Sequence, residues 1–185
     1  MKSLQSLLIA RPAPLAVAIC STGLGEDDEV REIAIANLGG ELVFRGGLAP
    51  PDAGTRQAQE DWRDLWRGVA PLLRDRWLVS YCAERTRRLL EQTGSRRGLP
   101  VWISARWACV EDVLAPILGT GPEAQADAFR LLGVQQPPEG ADAIARVDAT
   151  VRLFLAAAAN ERELADGLIR PAYNHPAARV QGQPT

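Results

Sequence analysis

Three short apolar segments, separated by glycine-containing turns, lie in the first fifty residues and constrain the fold more than any other feature. The run from Leu15 to Cys20 has the length and composition of a buried strand. The apolar residues from Val30 to Leu38 are followed by Gly39-Gly40 and then by Leu42 to Phe44, a pattern that predicts a β-hairpin. The N-terminal part of the chain is therefore predicted to supply three strands.

The rest of the chain is predicted to be mainly helical. Apolar residues at helical spacing run from Gln57 to Leu73, and Pro71 is expected to kink or divide that helix. A fourth strand is predicted at Trp77 to Tyr81, followed by a helix from Ala83 to about Gln92 that Gly94 should stop. Three more helices are predicted at about 108–118, 123–132 and 141–158. This order indicates an α/β domain with a mixed central sheet flanked by helices.

Length and charge set broad limits. A chain of 185 residues is long enough for one domain, which buries roughly 70% of its unfolded surface. The net charge is −2, from 21 basic and 23 acidic residues, so no overall basic excess indicates nucleic acid. No apolar stretch reaches the roughly 18 residues of a membrane span. We expect an N-terminal extension at 1–14, the domain at 15–165 and a flexible tail at 166–185.

The number and spacing of the cysteines indicate the cellular compartment. Cys20, Cys82 and Cys109 are odd in number and lack metal-type spacing, which predicts free thiols in a reducing cytoplasm. A lipoprotein signal ending at Cys20 is the minor alternative, although Arg11 and Pro12 interrupt its apolar core.

Two segments carry a more specific signal. The sequence VAICSTGL spans residues 17–24 at the end of the first predicted strand, and VSYCAERTRRLL spans residues 79–90. Together with the later helix that contains Asp148, they resemble in order and spacing the three motifs of the DEDD-type (DEDDh) 3'–5' exonuclease superfamily, which includes the epsilon subunit of DNA polymerase III. The resemblance covers about residues 15–159 and implies an RNase H-like fold.

The same resemblance identifies the residues that a catalytic site would need. Where the superfamily has Asp, Glu, Asp and His, this chain has Ala18, Cys20, Thr86 and Ala143, and only Asp148 matches the expected residue. Such nucleases use two divalent ions held by carboxylates, together with a base that takes a proton from water. An alanine, a thiol and a neutral hydroxyl are poor ligands for Mg²⁺ or Mn²⁺. The site is therefore predicted to be degenerate and inactive.

The missing ligands predict that the protein uses no cofactor. Its single histidine, His175, lies in the expected tail, well away from the motifs. Mg²⁺ or Mn²⁺ would bind only if a rebuilt site used Asp148 and acidic neighbours. The acidic run from Glu26 to Glu29 is one such candidate, although a run of this kind in a turn is more often a solvated surface.

Other residue types have both a structural and a functional interpretation. Cys20 and Cys82 are expected in one cleft, as small buried fillers or, alternatively, as a redox or metal site. The tryptophans could stack on bases, but Trp62 and Trp66 share a helical face with aliphatic residues, which favours the core. A basic cluster is a solvated helix face or a candidate nucleic-acid-binding face, and it comprises Arg85, Arg87, Arg88, Arg96 and Arg97.

The sequence therefore predicts an exonuclease-fold protein without nuclease activity that acts in binding. Analogy with the superfamily indicates single- or double-stranded nucleic acid, or a replication or repair protein, as the partner. One alternative is a residual or rebuilt 3'–5' exonuclease around Asp148. The other is a protein–protein scaffold or homodimer with no nucleic-acid role. No membrane partner is expected.

Overall fold

The computed structural model describes residues 3–23, 25, 27–48, 55–101, 103, 105–119 and 122–161. In chain order the elements are α1 (Leu4–Leu8), β1 (Leu15–Ser21), β2 (Val30–Asn37), β3 (Leu42–Gly47), α2 (Thr55–Leu73), β4 (Trp77–Ser80), α3 (Ala83–Arg96), β5 (Arg106–Cys109), α4 (Val110–Leu118), α5 (Pro122–Leu131) and α6 (Ala143–Ala159). The predictions for Glu26, Trp102, His175 and the tail at 166–185 fall outside the described residues.

The strands form one mixed sheet in the order β3-β2-β1-β4-β5. β1 pairs antiparallel with β2, and β2 pairs antiparallel with β3, so the predicted hairpin is confirmed. On its other side β1 runs parallel to β4, which in turn runs parallel to β5. The register between β1 and β2 shifts between Cys20 and Ser21, where Ser21 pairs with Val30 and a β-bulge interrupts the ladder. The predicted α/β class with a mixed, helix-flanked sheet is confirmed.

The two faces of the sheet carry side chains of different size. Along β1, Leu15 and Val17 join the core cluster that also contains residues of α2 and α3. The alternate residues Ala16 and Ala18 join the second cluster, which contains the buried residues of α6. Successive strand residues point to opposite faces, so this alternation separates large from small side chains. The small alanines leave room for α6 to pack closely on the sheet beside the end of β1.

The strand β5 is absent from the sequence-based prediction, which begins a helix at Ala108. In the structure Ala108 lies in β5, paired with Val79 of β4, and α4 begins at Val110. A strand of four residues is too short to show a periodic pattern of its own. Its conformation is fixed by pairing with β4, which is a tertiary effect.

Gly94 does not end the helix that it was expected to stop. α3 continues to Arg96, and Gly94 is buried inside it. A Cβ atom at this position would lie 2.8 Å from the carbonyl oxygen of Leu99 and 3.3 Å from the ring of Trp62. The glycine therefore serves close packing, while the positive φ of 70° after the helix is found at Gly98.

The C-terminal end of α2 and the N-terminal segment differ from the sequence-based predictions. α2 continues through Pro71 to Leu73, so the proline lies in the last turn and does not divide the helix. Residues 3–14, expected as an extension, include α1, whose Leu4 and Leu7 are buried in the cluster shared with α6. The main-chain N–H of Leu4 donates to the Glu161 carboxylate at 2.7 Å, which fixes α1 against the end of α6. No helix in the described part of the chain has the length and apolar character of a membrane span.

Candidate functional site

A cavity of about 310 Å³ lies where β1 and β4 end, between α3, α5 and α6. β1 and β4 run parallel, and ligands of open α/β sheets commonly bind beyond the carboxyl ends of such strands. The cavity is lined by Ala18, Ile19, Cys20, Ser21, Gly23, Ser80, Tyr81, Cys82, Arg85, Thr86, Leu89, Gln125, Phe129, Pro137, Arg146, Ala149, Thr150 and Leu153.

Four of the five hydroxyl groups of the lining, all except that of Tyr81, are already engaged within the protein. The side-chain oxygens of Ser80 and Thr86 lie 2.8 Å apart, and the Thr86 hydroxyl donates to the carbonyl oxygen of Cys82 at 3.0 Å. The Ser21 and Thr150 hydroxyls donate to main-chain carbonyl oxygens at 2.5 and 2.8 Å. Because each hydroxyl has one proton, these four groups have no proton left for a ligand.

The charge of the lining comes entirely from arginine. Arg85 of α3 and Arg146 of α6 are its only charged side chains among the described residues, and no aspartate or glutamate joins them. The Nε atom of Arg146 donates to the carbonyl oxygen of Ala141 at 3.0 Å, which restrains the guanidinium. Burial and the neighbouring Glu111 raise the pKa of Tyr81, so its hydroxyl stays protonated at neutral pH. The cavity is thus a positively charged recess with neutral donors.

Three of the five degenerate positions lie together in this cavity. Ala18 and Cys20 contribute from β1, and Thr86 contributes from the first turns of α3. The expectation that Asp148 joins them is wrong, because Asp148 is half exposed and pairs with Arg152 at 2.5 Å on α6, outside the lining. Ala143 is also outside the lining, buried in the core at the start of α6.

Arg146 is the residue of α6 that stands beside Cys20. Its guanidinium interacts with the Cys20 thiol, and both residues line the cavity. Two residues along an α-helix correspond to a rotation of about 200°, so Asp148 and Arg146 lie on nearly opposite faces. The alignment of the third motif through Asp148 is therefore displaced by two residues relative to the cleft. Periodicity carried the missing signal, since the buried positions Val147, Thr150 and Phe154 define the packed face of α6.

Three carboxylates border the cleft and have partners within the protein, and one of them, Glu111, is hydrogen-bonded to the Cys82 thiol. Glu32 and Asp142 lie with Cys20 and Arg146 along a neighbouring groove. Both pair with Arg45, at 3.9 and 3.5 Å. Glu32 also accepts the N–H of α6's first residue at 3.2 Å, and Asp142 caps the same helix. Across the described residues, no group of three or more His, Cys, Asp or Glu side chains could hold a metal ion.

The acidic run shapes a turn and an ion-pair network. The Asp28 carboxylate accepts hydrogen bonds from the Thr22 hydroxyl and the Gly25 N–H, and these bonds lower the pKa of Asp28. Asp27 pairs with Arg96 at 2.9 Å. Glu29 is buried, unlike the solvated surface that the sequence indicated.

The partner of Glu29 is Arg97, which is 3% exposed. Its Nε and Nη2 atoms donate to one Glu29 oxygen at 3.0 and 2.7 Å, and Nη1 donates to the Ala58 carbonyl oxygen at 3.3 Å. Arg97 therefore cannot belong to an exposed phosphate-binding face, and this part of the expected basic cluster is wrong. Arg96 lies 3.6 Å from the same carboxylate.

The remaining arginines of the cluster point in different directions. Arg85 lines the cavity, whereas Arg87 pairs with Glu84 at 3.4 Å beside a different groove. Arg88 is exposed on α3. Arg97 is therefore removed from the expected face and Arg85 is placed at the cleft, while binding by Arg87, Arg88 and Arg96 stays a prediction.

The aromatic and thiol side chains mostly have packing roles. Trp62 is fully buried and stacks on Trp66 with ring centroids 5.5 Å apart, as expected for core residues. Burial raises the pKa of Cys20, although the Arg146 guanidinium opposes this effect. Burial and a hydrogen bond to Glu111 raise the pKa of Cys82 to about 11. Neutral thiols of this kind are weak nucleophiles and weak metal ligands.

We expect the fold to lose stability between about pH 9 and 11. A thiol ionises near its ordinary pKa of 9.0 in the unfolded chain but only near 11 at Cys82 in the folded protein. The unfolded state therefore loses its proton first as the pH rises, and the equilibrium shifts toward it. Urea melts at pH 8, 9, 10 and 11 should show this loss, and Cys82→Ala should show less of it. An equal loss in both proteins would contradict the assignment.

No protein-family model matches the chain, and no curated protein matches it. Among solved structures, the nuclease domain of 3'hExo, a DEDDh family member in complex with rAMP, superimposes with a TM-score of 0.52 at 12% identity, covering 88% of this chain and 96% of that domain. RuvC of Thermus thermophilus gives a TM-score of 0.31 at 15% identity, covering 78% of this chain and 94% of that one. The chain therefore has the RNase H-like exonuclease fold, as its motifs predicted. At this level of identity the likeness shows the fold alone.

Proposed function

We propose that this protein is a non-catalytic member of the exonuclease fold that binds nucleic acid in the cleft through arginine, without metal ions. One observation carries the proposal. Ala18, Cys20, Thr86 and Arg146 surround the place where β1, α3 and α6 meet, and none of them is a carboxylate.

The chemistry of this residue set opposes metal-dependent hydrolysis. Divalent Mg²⁺ or Mn²⁺ needs several anionic oxygen ligands, and a guanidinium in their place repels a cation. Loss of the ions and of the base removes the groups that activate water and stabilise the leaving oxygen. Such a site should forfeit most of an acceleration of at least about 10⁶.

The same residues suit an anion. Guanidinium groups bind phosphate oxygens with paired N–H donors, and here they lie in a recess whose lining has no carboxylate, while the adjacent Glu32 and Asp142 are paired with Arg45. The 3'hExo nuclease domain holds the nucleotide rAMP on the same fold, which supports nucleic acid as the ligand by analogy. By the same analogy we assign the protein a role in replication or repair. Its free cysteines favour a cytoplasmic location.

The alternatives have less support. A rebuilt nuclease around Asp148 would need carboxylates beside it, but Asp148 faces Arg152. A scaffold or homodimer would need an exposed apolar patch. The exposed large apolar residues of the described chain lie on three segments and are Leu8, Ile9, Leu42, Val43 and Leu155.

Binding to fluorescent single-stranded and duplex oligonucleotides at two salt concentrations, in EDTA, tests the proposal. We expect affinity to fall as salt rises, because phosphate contacts release counterions. The double variant Arg85→Gln, Arg146→Gln should bind more weakly and lower the slope of log K against log salt by roughly 1 to 2.

The matched control is the double variant Arg87→Gln, Arg152→Gln, which removes the same charge from the same two helices outside the cavity. It should retain most of the affinity and the slope. If both double variants bind alike, the cleft is not the binding site. If the wild type binds no oligonucleotide at either salt concentration, the proposed function is wrong.

A further inference from the structure

We propose that the cleft recognises a phosphate monoester at the end of a nucleic-acid strand, held directly by Arg85 and Arg146. This inference rests on the proposed function and names the chemical group that the site selects. The charge of the cavity, its available donors and its size support this assignment.

The charge of the cavity matches a dianion. Arg85 and Arg146 are permanent cations in a lining that contains no carboxylate, and the carboxylates behind that lining, Glu32, Glu111 and Asp142, have partners within the protein. A phosphate monoester carries a charge of about −1.5 to −2 near neutral pH, whereas an internal phosphodiester carries a single negative charge. Two guanidinium groups in one recess therefore favour the terminal group over the internal one.

The available donors point to the same ligand. The hydroxyls of Ser80 and Thr86 are engaged with each other and with a main-chain carbonyl oxygen, so they leave the recognition of an anion to the arginines. Arg146 uses Nε for the Ala141 carbonyl oxygen and its guanidinium also bonds to the Cys20 thiol, so its remaining N–H groups are the donors that a ligand can use. A guanidinium restrained in this way loses less conformational freedom when it binds. The Gln125 amide is a neutral donor on the same lining.

The size of the cavity favours a strand end. Its volume of about 310 Å³ is small for a ligand site, at the lower end of the roughly 300–1,000 Å³ range. The apolar side chains of Leu89, Phe129 and Leu153 form part of its wall. A recess of this size accommodates a phosphate with one sugar.

The test compares one oligonucleotide sequence with a 5'-phosphate, with a 3'-phosphate and with hydroxyl groups at both ends, in EDTA. We expect at least about tenfold tighter binding of one phosphorylated form than of the hydroxyl form, because each charge-assisted hydrogen bond contributes strongly. The two phosphorylated arms identify the end that is recognised. At equal ionic strength, inorganic phosphate should displace the preferred form of the oligonucleotide more effectively than chloride does.

Variants assign the effect to the two arginines. Arg146→Gln and, independently, Arg85→Gln should remove the preference for the phosphorylated end, and Arg146→Lys should retain part of it. Arg152→Gln, on the opposite side of α6, should keep it in full. Circular dichroism melts establish that each variant is folded. If one of the two cleft variants does not fold, the other is enough to test the assignment.

The outcomes separate this inference from the proposed function. Equal binding of all three oligonucleotides, weakened by both cleft variants, would overturn the end preference and leave nucleic-acid binding in the cleft intact. A preference that survives both cleft variants would place the terminal phosphate elsewhere. Absence of binding to any oligonucleotide would overturn both proposals.

Discussion

Arg97→Met is expected to destabilise the fold by about 3–5 kcal/mol, the cost typical of removing one partner from a buried ion pair. Arg97 is 3% exposed and donates twice to Glu29 and once to the Ala58 carbonyl oxygen. Without the guanidinium, Glu29 would remain buried with its charge poorly compensated. The free energy of unfolding from urea melts at neutral pH measures the effect.

The neighbouring arginine provides the control. Arg96 also contacts Glu29, at 3.6 Å, but its side chain is 40% exposed. We expect Arg96→Gln to cost about 0–1 kcal/mol, as for other exposed pairs. The double variant Glu29→Met, Arg97→Met should lose less stability than Arg97→Met alone, because it leaves no isolated buried charge. A loss below about 1 kcal/mol for Arg97→Met would contradict this role.

This ion pair joins parts of the chain that the sequence treats separately. Glu29 precedes β2, Arg97 follows α3, and Ala58 lies in the first turns of α2. From the sequence alone, the acidic run and the arginine cluster are two solvated surfaces, because neither local pattern identifies a partner about seventy residues away. The pairing depends on the fold, so only tertiary structure separates Arg97 from its exposed neighbours.

The sequence predicts best where local periodicity and turn residues agree. β1, β2 and β3 have apolar runs bounded by glycines, and the structure confirms the hairpin. β5 is missed because its four residues take their conformation from β4. Gly94 is misread as a helix stop because its contacts with Leu99 and Trp62 are non-local.

At the candidate site, too, local patterns are predicted correctly and tertiary contacts are missed. Motif order correctly places Ala18, Cys20 and Thr86 together, since each is fixed by a strand or by the turn that follows one. Asp148 matches the third motif in residue type but lies on the wrong face of α6. Arg146, which lies at the cleft, does not match the motif because a cation is not a ligand for metal ions. The property that distinguishes this cleft, its positive charge, is therefore visible only once α6 is packed on the sheet.

Restoring carboxylates at the four cleft positions is expected to create a metal-binding site of a kind not found among the described residues of the natural chain. The quadruple variant is Ala18→Asp, Cys20→Glu, Thr86→Asp, Arg146→Asp. Four carboxylates in one recess repel one another, so the variant should be less stable than the wild type in EDTA. Mn²⁺ at 100 times its dissociation constant should restore about 2.7 kcal/mol by mass action. Wild-type protein should show no appreciable change in melting temperature with millimolar Mg²⁺ or Mn²⁺.

Two further variants show whether the effect depends on charge and on position. The neutral quadruple variant of the same shape should not respond to Mn²⁺, and it is Ala18→Asn, Cys20→Gln, Thr86→Asn, Arg146→Asn. The triple variant Ala18→Asp, Cys20→Glu, Thr86→Asp keeps Arg146 and the native Asp148. It should respond weakly, because Asp148 lies outside the cavity. A full response of the triple variant would instead place Asp148 at the site and restore the original alignment of the third motif.

Nuclease assays complete the test. We expect no metal-dependent degradation of DNA or RNA from the 3' end by the wild type, and Asp148→Ala should leave nucleic-acid binding unchanged. The quadruple variant should bind metal but cleave nucleic acid only slowly, because the cavity lining that the structure describes contains no histidine to take the proton from water. Wild type and Asp148→Ala must be purified identically, since traces of a host exonuclease would mimic activity. Digestion by the wild type that disappears in Asp148→Ala would overturn the non-catalytic assignment, because contamination would affect both preparations alike.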